Sequence, residues 1–406
     1  MKKGARITLG IVAGLTTIGV AGVGALSYLN RPLSQDEVDA AVQQRLEQTA
    51  ANSAGVSAAV FATYSLERGT LRQYAAGTLG AASSTSAQAA AEPPTELDPN
   101  TPFHAASVGK TMLAAIFGQL VDEGRVSFDD RIADALDPAQ LEGLFVISGV
   151  DHSGEVTYEQ LLSHTSGVAD YFAGPVTSGA TMIESISADP GQLFTPSSLL
   201  EFSRTRQNPT AEPGRRFSYS DTGYVLLGLA IEKIEGKAYA DVLEARVFTP
   251  LEMHDSALFI SPESSPRLMP LNVNGTDLSE SNALTVDWAG GGVVSTTSDL
   301  AAFLSAFVSG QLVSDATLER LTDFAHEFDS GIGYGMGVMQ FRFSELSPLL
   351  FSMSDAHGAV GATGSYALYD ETNQMIYVAN YGSLEFSQKA IEELVQLRLI
   401  VERLSR

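Results

Sequence analysis

The chain has 406 residues, 44% of them hydrophobic, enough apolar material for a sizeable core in one large domain or two to three smaller ones. Its 48 acidic against 24 basic residues give a formal charge of −24, a surface that repels nucleic acid and anionic lipid. It contains no cysteine, which excludes disulfides, thiolate metal sites and cysteine nucleophiles.

The chain opens with Lys2, Lys3 and Arg6, followed by an uncharged run from Ile7 to Leu29. At 1.5 Å per residue such a run spans a bilayer core of about 30 Å. Residues 1–30 are therefore expected to be an N-terminal membrane anchor or a signal segment, "VGA" ending at Ala25 being the candidate cleavage site. With the basic flank inside, either reading places the remainder outside the cytoplasm, on a single pass or secreted.

Residues 31–54 form a linker and first helix: Ser34 caps an acidic first turn, and Val38, Val42 and Leu46 follow at helical spacing. Two strand-like runs then flank a turn at Glu67–Gly69. The Ala-, Ser- and Pro-rich segment 81–100 reads as a flexible surface loop within a single domain, 55–404. A mainly helical region from 105 to about 250 follows. "GIGYGMGVMQFRF" (331–343), "SYALYDE" and "MIYVANYG" (375–382) supply further strands, and an amphipathic helix closes the chain. Strands at both ends enclosing helices predict an α/β fold of the α+β type: one antiparallel sheet flanked by helices, with a helical insert.

In "FHAASVGKTMLAAIF" (103–117), Lys110 is a cation inside an apolar run. "VGKT" suggests a phosphate loop, but that motif needs a glycine where His104 stands. A snorkelling lysine is the structural alternative. A helix over 107–118 would instead put Ser107 and Lys110 about one turn apart on one face. Apolar neighbours such as Met112, Leu113 and Ile116 would disfavour the ammonium and leave an amine able to take the hydroxyl proton. A helix N-terminus beside Ser107 would also offer N–H groups to an oxyanion.

A second patch, "EPGRRFSYSDTGYVLLGLAIEKIEG" (212–236), is a Pro-Gly turn, then Tyr219-Ser220-Asp221, then an apolar helix. A phenol near the serine can relay its proton or protonate a leaving group. Asp221 either faces the same cleft or simply caps the helix that starts near Thr222.

These stretches, with "LLSHTSGV" (161–168) and "AGGGVVSTTSDLAAFL" (289–304), resemble the serine β-lactamase and penicillin-binding-protein-like superfamily. They most resemble its branch of class C β-lactamases, D-alanyl-D-alanine carboxypeptidases, D-aminopeptidases and esterases. The resemblance covers roughly residues 55–395 and implies a β-lactamase/transpeptidase-like fold. It implies Ser107 as the acylated nucleophile, Lys110 as its base partner and Tyr219 as the second-motif tyrosine. Two departures stand out. The second motif ends in Asp221 where asparagine is usual. The third motif, a basic residue on a strand edge, should lie within 353–370. There His357-Gly358-Ala359 fits the position with alanine in place of glycine, and Val360 would then supply an oxyanion N–H; read from the downstream "GATGS", the register is instead Ala359-Val360-Gly361, with no basic residue. His164 is read as holding a turn. Asp221, His357, Gly358 and Val360 are thus the substrate-side candidates.

The remaining histidines show no metal-ligand spacing, and nothing calls for a cofactor or a metal. The expected protein is a membrane-anchored, extracytoplasmic serine hydrolase working through an acyl-enzyme on an ester, amide or peptide, with peptidoglycan fragments among the candidates. The added acid at 221 and the absence of a strong cation in the third motif argue against carboxylate-bearing substrates, hence weak β-lactamase action. A silent wall- or ligand-binding protein of the same fold is the alternative.

Overall fold

The computed structural model describes residues 31–79 and 95–404. The apolar run 7–29 and most of the 81–100 segment lie outside the described residues. Residues 95–96, at the end of that segment, form a short edge strand rather than loop.

Helix α1 (Gln35–Asn52) begins where its sequence says it should. Ser34 accepts from the Glu37 N–H while the Glu37 carboxylate accepts from the Ser34 N–H, a reciprocal cap, and Val38, Val42 and Leu46 are buried. Strands β1 (Ala58–Ser65) and β2 (Thr70–Leu79) follow as a hairpin, and β3 (Thr95–Glu96) pairs with the end of β2. The second half of the chain adds β4 (His326–Asp329), β5 (Ile332–Tyr334), β6 (Met339–Phe341), β7 (Ala356–Gly361), β8 (Ser365–Asp370) and β9 (Met375–Asn380). All nine join one antiparallel sheet in the order β4-β5-β6-β7-β8-β9-β1-β2-β3. The junction is β1 with β9, in register from Val60↔Asn380 to Ser65↔Met375. The two ends of the chain thereby close one sheet around the helical middle, as expected.

Both faces of the sheet are covered, so β1 reads as a continuous apolar run rather than an alternating one. Phe61, Tyr377 and Ala379 lie in the core shared with α1 and the C-terminal helix α5 (Ser387–Val401). Val60, Ala62 and Val378 face the other core, with α2 (Gly109–Asp122), α3 (Asp221–Glu235) and α4 (Thr297–Val308). Helix α2 is apolar on nearly every side and is buried accordingly. Helix α5 is fastened by Arg398, fully buried, whose guanidinium donates to Asp370 Oδ2 at 2.6 Å, to Ser354 and to Glu402. Among the described residues no helix is long and apolar enough to cross a membrane.

Candidate active site

The expected helix over 107–118 forms in two parts. Ala106–Val108 is a 3-10 turn and α2 starts at Gly109. Ala106 takes a left-handed φ of 51°, unusual for a residue with a side chain, and this turns Ser107 out of the helix barrel. The turn is wedged between two backbones. A Cβ on Gly291 would lie 2.6 Å from the Ala106 carbonyl carbon, and one on Gly361 would lie 2.8 Å from the Ala105 oxygen, so both close approaches require glycine. From the other side Ser365 Oγ donates to the Ala105 oxygen at 2.7 Å.

Lys110, one turn on, is 1% exposed. Its Nζ donates to Ser107 Oγ at 3.1 Å, to the Gly290 carbonyl at 2.5 Å and to Asp221 Oδ1 in a short buried ion pair. An ammonium has three donors, and all three are used. A free amine keeps two donors and one lone pair. With the two donors held by Asp221 and Gly290, the lone pair points at Ser107 Oγ. The surroundings therefore aim the amine as a base at the hydroxyl.

Tyr219 completes the group. Its hydroxyl donates to Ser107 Oγ at 3.0 Å, and its ring centroid lies 5.2 Å from Lys110 Nζ. Desolvation, reinforced by the Asp221 charge, pushes its phenol well above the ordinary range, so it stays protonated and serves as a donor.

Of the two expectations for Asp221, the structure places the cap on its neighbour. Ser220 Oγ accepts from the Gly223 N–H at the start of α3, and Asp221 is left free to turn its carboxylate to Lys110. The Asp221 N–H donates to Asp170 Oδ1 at 3.1 Å, and Asp170 also accepts from the N–H groups of Phe172 and Ala173. Burial and the Asp221 charge raise Asp170 to about 7, and the same two causes raise Asp287 to about 7. His104 Nε2 lies 3.7 Å from Asp287 Oδ2, too long for a hydrogen bond, and burial lowers this histidine to about 4. The floor of the site is thus acidic, with Lys110 as its cation.

His164 does more than hold a turn. Its backbone oxygen accepts from the Ser218 N–H at 2.8 Å and its Nδ1 accepts from the Ser220 N–H at 3.1 Å, so both neighbours of Tyr219 are tied to one residue. Because Nδ1 is an acceptor, the proton sits on Nε2, which donates to the Tyr334 hydroxyl at 2.9 Å. Its ring centroid lies 4.1 Å from that of Tyr219. Desolvation, with the Lys110 charge, holds the imidazole well below its usual value and keeps it neutral.

The third-motif candidates divide. His357 pairs with Gln340 on one side and Tyr369 on the other, so it lies within the sheet and not at an edge. Its ring packs against Phe324 and Tyr369, and burial keeps it below the ordinary histidine value, favouring the neutral form. The hydrogen bonds and ion pair of Ser107, Lys110 and Tyr219 do not include it. Pairing with β6 ends at Gly358, and Ala359, Val360 and Gly361 continue β7 past the Ala105–Ser107 turn. The structure therefore gathers Ser107, Lys110, Tyr219 and Asp221, sets Gly358 and Val360 on the strand beside them, and directs His357 elsewhere.

Sequence reasoning did not find the Gly290 carbonyl, Asp170, Asp287 or the full part played by His164. The only local signal for the first is the run Gly290-Gly291-Gly292. Among the described residues, no group of histidines and acids is arranged to hold a metal ion.

Fold and site together carry the Ser-x-x-Lys arrangement, with a serine hydroxyl in contact with a buried lysine. The chain belongs to the beta-lactamase family, whose family model matches residues 38–394. It is 34% identical to penicillin-binding protein 4 of Amycolatopsis lactamdurans over 38% of this chain and 35% of that protein. It is 24% identical to the D-alanyl-D-alanine-carboxypeptidase/endopeptidase AmpH of Escherichia coli over 50% of this chain and 48% of that one. The alignments thus span about a third to a half of these curated relatives. Among solved structures, the D-stereospecific amidohydrolase from a Streptomyces species is similar with a TM-score of 0.70 and 24% identity, covering 87% of this chain and 97% of that one. The D-amino acid amidase from Ochrobactrum anthropi has a TM-score of 0.68 and 22% identity over 90% and 99%. At these identities the structural likeness shows the fold.

Proposed function

We propose that the protein hydrolyses esters, amides or short peptides that carry no carboxylate next to the scissile bond, through an acyl-enzyme on Ser107. The observation that carries this is the double contact of Ser107 Oγ, 3.1 Å from an amine and 3.0 Å from a phenol. The Lys110 amine takes the hydroxyl proton as Oγ attacks the carbonyl carbon. The N–H groups of Ser107 and Val360 receive the oxyanion. Tyr219 gives its proton to the leaving group and regains one from the Lys110 ammonium. Water then attacks the acyl carbon as Lys110 takes its proton, and Lys110 returns that proton to Ser107 Oγ as the ester bond breaks and the acid leaves.

The Asp221 carboxylate on the floor of the site, with His357 turned away and neutral, supports substrates that are uncharged or carry a free amine. Relatives named D-aminopeptidase, such as that of Brucella anthropi, fit that charge. Weak action on penicillins and on peptides ending in a free carboxylate follows from the same electrostatics. An extracytoplasmic site, tethered by residues 7–29, belongs to this proposal on the sequence alone. Detergent-dependent extraction of the full chain tests it.

Intact mass after incubation with a fluorophosphonate, a nitrophenyl ester and a fluorescent penicillin tests the chemistry. The first two should add one acyl or phosphonyl group, and Ser107→Ala should abolish the addition with the fold retained. Labelling of another serine in that variant overturns the assignment.

A further inference from the structure

One side of the site is built of aromatic rings that the reaction itself does not use. Phe217 stands two residues before Tyr219 on an irregular segment that leads into α3. Phe328 reaches them from the edge strand β4. The pairing of β4 with β5 runs His326↔Tyr334, Glu327↔Gly333 and Asp329↔Ile332, so Phe328 is the extra residue of a bulge. A bulge breaks the regular alternation of side chains and re-aims the one it carries. Here Phe328 meets Tyr219 edge to face at 5.7 Å, Phe217 at 6.1 Å and Tyr334 at 6.5 Å. Phe217 is packed in turn on His164 and Tyr334. Phe217 and Phe328 both keep part of their surface in solvent although rings surround them.

The geometry points to an apolar subsite on Phe328 and Phe217 that takes an aryl-bearing group attached to the substrate's scissile carbonyl. This deepens, and rests on, the acyl-enzyme reading above. Phe328 is held by an edge-to-face contact to Tyr219, whose hydroxyl donates to Ser107 Oγ, and Phe217 packs edge to face on Phe328, so a ring laid against them lies near the reacting centre. Stacking a phenyl group there selects substrates by area and shape, which suits a site whose charge already disfavours carboxylates. A long aliphatic group would cover the same surface without the edge-to-face pairing.

Boronic acids test the subsite without a leaving group. Inhibition constants of methylboronic acid and benzylboronic acid are measured by their protection of Ser107 against a fluorophosphonate, in the wild type, Phe328→Ala and Phe217→Ala. The wild type should favour the benzyl compound roughly ten- to hundredfold, from the apolar area a phenyl ring buries. Each alanine variant should reduce that ratio by about tenfold or to near one. Phe328→Leu, which keeps packing volume, gives an intermediate ratio and replaces the alanine variant if that one melts below the assay temperature. A wild-type ratio near one, or an unchanged ratio in the Phe328 and Phe217 variants, overturns the subsite. If the fluorophosphonate fails to label Ser107 at all, the acyl-enzyme reading falls, and with it the basis of this inference.

Discussion

Lys110 and Asp221 form a buried ion pair beside Ser107, and the carboxylate holds the lysine nitrogen 3.1 Å from the Ser107 hydroxyl oxygen. The pair aims the nitrogen at Ser107. The Coulomb attraction of two charges about 4 Å apart is roughly 4 kcal/mol at an effective dielectric of 20, large enough to hold the nitrogen in place.

Asp221→Asn should raise turnover of a penicillin relative to a neutral ester, since one negative charge leaves the floor of the site. Acylation rates of both proteins with one ester and one penicillin measure the effect. An unchanged substrate ratio would reduce Asp221 to a packing role.

Asp287 gives a stability signature of definite sign. Burial raises it to about 7, so the folded protein keeps its proton where the unfolded chain has lost it near pH 4. Across the interval from about 4 to 7 the folded state binds more protons, so stability falls as pH rises and levels off above 7. Asp287→Asn removes that decline. The variant should gain roughly 1–3 kcal/mol over the wild type between pH 4 and pH 8, discounted for the residue's partial exposure. Denaturant unfolding at the two pH values reads the difference, and a constant offset would contradict it.

His164 is a positioning residue for Tyr219. His164→Asn keeps a side chain that tolerates the left-handed φ of 57° but loses the ring stack and the link to Tyr334. We expect kcat to fall about 10²-fold with KM within a few-fold, since the phenol loses its alignment and substrate contacts remain. His164→Gln, which can place an amide near the Tyr334 hydroxyl, should recover part of kcat. Equal losses in kcat and thermal stability in both variants would indicate a structural role alone.

Arg398 should matter for stability and not for chemistry. It is fully buried with Asp370, flanked by the rings of Phe343 and Tyr377, on the face of the sheet that α5 covers. Arg398→Ala leaves a buried carboxylate uncompensated and should cost about 3–5 kcal/mol in denaturant unfolding. Below its lowered melting point, Ser107 labelling per folded molecule should match the wild type. Double replacement of Arg398 and Asp370 by apolar residues should recover much of the loss.

The local patterns sufficed for α1 with its reciprocal Ser34–Glu37 cap, the β1–β2 hairpin, the C-terminal helix and the closure of one sheet by both chain ends. Each depends on spacing within a few residues or on apolar periodicity, and such signals survive without a partner in view. Ser107 and Lys110 were legible for the same reason, being three residues apart. Tyr219 was legible through its own motif, although its distance to Ser107 is a property of the fold. Tertiary structure alone decided the rest. Whether Asp221 capped a helix or met a cation depended on Ser220 taking the cap and on Asp170 holding the Asp221 N–H, a residue 51 positions away. His357 carries the right chemistry in the right stretch, yet pairing on both sides keeps it inside the sheet, and a strand's neighbours cannot be read from the strand. The Gly290 carbonyl has no side chain to announce it. It reaches the Lys110 side chain across 180 residues because its neighbour Gly291 lets the backbone of Ala106 come close, and that proximity exists only once the chain has folded.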